Sequence, residues 1–127
     1  MSAYGSTAAL YGAACRALGT PRSIEHDVFS EVTARMRRAQ SERNAFADLA
    51  AALHDNRRLW FALATDIAGH GNNLPRDLRA SLLGLAAFVE SHTARVVARE
   101  AAPDILIDIN ASIMRGLRGD RGSAENE

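Results

Sequence analysis

At 127 residues the chain has the length of one domain, enough to bury a core without disulfides or metals. Apolar residues make up 47% and aromatics only 6%, so the apolar share is mostly alanine and aliphatic side chains, which favours helices. Fifteen basic residues offset fifteen acidic ones, so no net charge directs the chain to nucleic acid or an anionic membrane.

Residues 2–18 carry Tyr4, Tyr11, Cys15 and Leu18 at helical intervals, weakened by Gly5 and Gly12. This predicts a loosely held first helix over residues 1–19. Gly19-Thr20-Pro21 is a stop and a restart: Thr20 suits an N-cap and Pro21 the first helical position. The second predicted helix runs to about Gln40, with a stripe of Ile24, Val28, Val32 and Met36 broadened by Phe29. Arg35, Arg37 and Arg38 near its end suit the helix dipole.

The third helix is predicted from Ser41 or Glu42 to about Ala68. Its ladder is Phe46, Leu49, Leu53, Asn56, Trp60, Leu63 and Ile67, in alternating steps of three and four. Six of the seven are apolar; Asn56 places an amide in the seam, which costs free energy unless it is hydrogen-bonded. Asp55-Asn56 could cap a new helix, but the ladder keeps its phase across the pair, so the helix is read as continuous. Gly69 to Asn73 reads as a loop, and Pro75 opens a fourth helix with Leu78, Leu82, Leu85, Val89, His92 and Val96. Glu100 to Pro103 is the next break. A fifth helix from Asp104 presents Leu106, Ile109, Ile113 and Leu117; Ile105 to Ile109 alternates like a short strand, but the helical phase continues beyond it. Residues 119–127 have little to bury and read as a disordered tail. The fold expected is all-α: a bundle of four or five helices forming one domain over residues 1–118.

The residues offer little chemistry. All the basic residues are arginine, which removes the lysine of a phosphate loop and of a Schiff base. His26, His54, His70 and His92 form no HExxH and no metal-ligand spacing with Cys15, and His92 reads as a half-buried core position. Cys15 is the only cysteine, and no GxSxG elbow is present. The expectation is no enzyme, no catalytic residue, no cofactor and no metal. Residues 1–18 lack a basic flank before an apolar run, and no apolar run is long enough to span a bilayer, so a cytoplasmic protein without membrane insertion is expected.

Binding is the remaining option. Asn56, Arg57 and Trp60 lie within about one helical turn. Tryptophan and arginine favour interface hot spots, so these three are the partner-binding candidates, although filling the core is the commoner role for a ladder tryptophan. Arg35-Met36-Arg37-Arg38 and Arg57-Arg58 are the densest basic clusters. Interspersed acids and few aromatics argue against direct RNA binding.

Several blocks stand in a fixed order along the chain: Thr20 to Glu25 with Phe29 and Val32-Thr33, Ala52 to Trp60, and Asn73-Leu74-Pro75 with Leu78-Arg79-Ala80. Phe88-Val89, His92-Thr93 and Leu106 to Leu117 complete the set. Together they resemble the FlaF family of flagellar biosynthesis regulators. Phe61 departs from the pattern, where a small polar residue is expected. The resemblance implies a cytoplasmic regulator that promotes flagellin synthesis and export, with flagellin as the partner of a secretion chaperone. Its alternative is a post-transcriptional regulator acting with FlbT on flagellin mRNA. The family pattern brings no catalytic motif.

Overall fold

The computed structural model describes residues 7–9, 26–70 and 74–118. The predicted restart at Thr20-Pro21, the loop residues 71–73, the tail 119–127 and most of the predicted first helix lie outside these. Residues 7–9 are helical, and Ala8 is buried in the core. The other helices are α1 (His26–Ser41), α2 (Phe46–His70), α3 (Arg76–Val97) and α4 (Asp104–Arg118). No strand occurs among the described residues, so the architecture is the expected all-α bundle, and Ile105 to Ile109 are helical.

α2 runs without interruption through Asp55-Asn56, as its apolar phase requires. Leu53, Asn56, Trp60, Leu63 and Ile67 are buried, with Leu49 packed at the edge of the core. The helix differs from expectation at both ends. It starts at Phe46, because residues 42–45 form a turn in which Asn44 takes φ 62°, a left-handed value asparagine tolerates. It continues through Gly69 to His70 rather than stopping at Ala68. The Arg79 guanidinium donates to the Ala68 carbonyl at 3.0 Å, satisfying an end carbonyl of α2 from the first turn of α3. In α1 the buried stripe is Phe29, Val32, Thr33, Met36 and Ala39. Val28, expected in that stripe, is 42% exposed, because the core meets the Phe29 side of the turn.

Pro75 immediately precedes α3, and its carbonyl accepts the Arg79 N–H at 2.9 Å. The end of α3 is a Schellman motif. The Glu100 N–H reaches the Arg95 carbonyl at 2.8 Å and the Arg99 N–H the Val96 carbonyl at 2.9 Å. Arg99 fills the left-handed position, φ 64°, where glycine is usual. Its guanidinium lies 4.0 Å from the centre of the Phe46 ring, fastening the end of α3 to the start of α2. His92 is half-buried as expected: its ring stacks on Phe88, and its Nε2–H donates to the Ala102 carbonyl at 2.9 Å.

α2 is the central rod, packed on α1 along one side and α3 along another, while α4 lies chiefly against α1. The core joins Phe29 and Met36 of α1, the α2 ladder, Leu82, Leu85 and Val89 of α3, and Leu106, Ile109 and Ile113 of α4.

Candidate functional site

A small polar cluster crosses the core where α1, α2 and α4 meet. The Trp60 indole N–H donates to the Asn110 side-chain oxygen at 2.9 Å. The Asn110 amide nitrogen donates to the Asn56 oxygen at 2.8 Å and to the Thr33 hydroxyl oxygen at 3.1 Å. The Thr33 hydroxyl in turn donates a hydrogen bond to the Phe29 carbonyl at 2.6 Å. Asn110 thus uses both ends of its amide, and every member of the cluster is buried. The Asn56 amide nitrogen is buried with no hydrogen-bond partner. The Phe29 ring closes the cluster edge-on to Trp60, with ring centres 6.1 Å apart.

The three sequence candidates therefore face different surroundings. Asn56 is fully buried and Trp60 is 2% exposed, both tied to Asn110. Arg57 is exposed on the far side of the same turn. Its Nε reaches both Glu90 oxygens, at 2.8 and 2.9 Å, and its Nη2 reaches one at 2.7 Å, bridging α2 to α3. This pairing holds the Arg57 guanidinium above its ordinary pKa.

Beside that bridge, a groove of about 800 Å³ opens between α2 and α3. An edge of Trp60 forms part of its floor, with Ala62 and Ala64 of α2 and Ala86 and Ala87 of α3. Alanine at these positions lowers both helix surfaces, and Leu83 and Val89 add aliphatic wall. Phe61 rises from the rim, 73% exposed, although large apolar side chains are normally drawn inward. The charged end holds His54, Arg57, Arg58 and Glu90. From His54 to Ala64 a helix rises about 15 Å, so the groove suits roughly three turns of a partner helix.

A second ion pair lies on the α1 side of α2. Arg35 Nη1 donates to Asp55 Oδ2 at 2.7 Å. That bond is the main reason the Asp55 carboxyl sits below its ordinary pKa; burial opposes it, while the charges of Arg35, His54 and Arg58 reinforce it. Among the described residues, no three His, Cys, Asp or Glu side chains gather as a metal site would require, and no helix is long and apolar enough to cross a membrane.

Sequence reasoning did not single out Asn110, Glu90 or Phe61 as part of a site. Asn110 carried a usable signal: four residues from Leu106 and three from Ile113, it is a polar side chain on the apolar face of α4, beside Ile109. Glu90 carried none, because its meaning depends on which helix lies beside it.

No curated protein and no solved structure matches the chain. A family model does, that of flagellar protein FlaF, over residues 7–117. That match takes in α1 to α4 apart from Arg118, the buried amide cluster and both walls of the groove, and the protein belongs to the FlaF family of flagellar proteins.

Proposed function

We propose that this flagellar protein is a non-enzymatic binding protein of the cytoplasm that promotes flagellin synthesis and export by holding flagellin before secretion. The observation that carries this reading is the groove between α2 and α3, with small apolar side chains along its floor and Phe61 exposed at its rim. A cleft of this size lies in the range of roughly 300–1,000 Å³ that holds compact apolar ligands, and its length fits an amphipathic helix laid in by its apolar face. An exposed aromatic beside an apolar floor offers a partner helix a large apolar contact area. Covering the apolar face of an unassembled flagellin segment would suppress premature self-association.

The test is calorimetric titration of the purified protein with monomeric flagellin, repeated with Phe61→Ser. Binding that weakens in the variant supports the reading; absence of heat and of co-elution with the unmodified protein overturns it. The second reading, action with FlbT on flagellin mRNA, draws on the exposed Arg37, Arg38, Arg57 and Arg58. It predicts a shift of the flagellin leader RNA that weakens steeply with added salt.

A further inference from the structure

The charged end of the groove has a local imbalance. Two guanidiniums, Arg57 and Arg58, line that end with one carboxylate, Glu90. Glu90 takes three contacts of at most 2.9 Å from Arg57, and Asp55, on the α1 side of α2, is held by Arg35 at 2.7 Å. Arg58 lines the groove and is exposed, and its charge acts on an Asp55 already engaged. In water this excess charge is well solvated. A partner laid along the groove would displace that water, and a purely apolar face would leave Arg58 dehydrated without a counter-charge, which is unfavourable. A carboxylate there would instead form a charge-assisted, two-pronged contact with the planar guanidinium.

Resting on the reading of the groove as the binding site, we propose that its occupant is an amphipathic helix whose apolar face ends in an Asp or Glu side chain, and that this carboxylate pairs with Arg58. The apolar face lies over Ala62, Ala86 and Ala87 against Phe61. The acidic residue sits about one turn beyond it, over the His54–Arg58 end, where it sets the direction in which the helix lies.

The test uses two synthetic helical peptides. Both carry leucines at three- and four-residue spacing; one has a terminal glutamate in line with them, the other glutamine. Each is titrated into the full chain and into Arg58→Gln, with flagellin itself as a third titrant. The glutamate peptide is expected to bind about fivefold more tightly at low salt, with the preference shrinking as salt is added. Arg58→Gln should abolish the preference, weaken flagellin binding and leave helicity unchanged. Equal binding of the two peptides to the unmodified protein overturns the inference. If Phe61→Ser weakens flagellin binding while Arg58→Gln does not, the groove reading stands and the acidic contact falls. If flagellin does not bind at all, the functional reading fails first and the inference with it.

Discussion

The Trp60 indole N–H and the Asn110 side-chain oxygen, 2.9 Å apart across the core, join the groove floor to a helix that contributes no groove wall. Trp60 is held by Phe29 on one side and by an amide from α4 on the other. The shape of the α2 wall therefore depends on α1 and α4 as well as on α3.

Asn110→Leu should be the most damaging polar-to-apolar change in the core. It leaves the Trp60 N–H without its partner and strips the Asn56 oxygen and the Thr33 hydroxyl of a donor. A loss of roughly 3 kcal/mol is expected in chemical denaturation. Asn56→Leu should cost less, about 1 kcal/mol, because it removes one bond together with an amide nitrogen that has no partner. Equal losses would mean that the two amides do not play the unequal roles their bonding describes.

Trp60 and Phe61, adjacent in sequence, should separate stability from binding. Trp60→Ala empties a site that is 2% exposed and should lose roughly 3–5 kcal/mol. Phe61→Ser alters a side chain that is 73% exposed and should leave the denaturation midpoint nearly unchanged while weakening flagellin binding. A strong stability loss in Phe61→Ser would place that ring in the core.

Arg99 gives a backbone test. Arg99→Ala keeps the left-handed backbone of the Schellman turn and loses the contact with Phe46, so a loss of about 1 kcal/mol is expected. Arg99→Gly loses the same contact but relieves the left-handed strain and should be close to neutral. Thermal unfolding of the pair is decisive: alanine should unfold earlier than glycine.

Asp55 sets a small acid-limb effect. Its folded pKa lies below the ordinary 3.8, chiefly because Arg35 donates to the carboxylate. The linked stability is therefore fully present above 3.8, falls as the pH drops through the folded value, and is gone below both. With side chains 29% and 40% exposed, solvent screening keeps the pair under about 1 kcal/mol. Asp55→Asn should be slightly less stable than the unmodified protein near neutral pH, and the two should converge in strong acid. A gap that persists there would point to packing rather than charge.

Much of this fold was legible because apolar phase is local information. The Leu53 to Ile67 ladder and the Leu106 to Ile113 stripe are buried where their spacing put them. Asn56 stood out as a seam amide, but its partner Asn110 lies 54 residues away, and nothing in a helical period says which two amides meet. Val28 was misjudged because residues one apart sit about 100° around a helix, so a modest rotation of α1 exchanges Val28 for Phe29 at the core. The helix boundary near Gln40 was legible, but the turn over residues 42–45 reads as the first turn of the next helix because it carries no glycine or proline; Asn44 supplies the left-handed position. The groove was not legible, since it exists only where the alanines of α2 meet those of α3.

Trp60 is the single tryptophan of the chain, with its nitrogen in the core cluster and an edge on the groove floor. The protein thus carries a built-in optical reporter at the boundary between its interior and its candidate binding surface. A helix laid over Ala62 and Ala86 would alter emission intensity without unfolding, whereas disruption around Asn110 would expose the indole and move the emission to longer wavelength. One fluorophore, with no label attached, reads occupancy and integrity as separate signals.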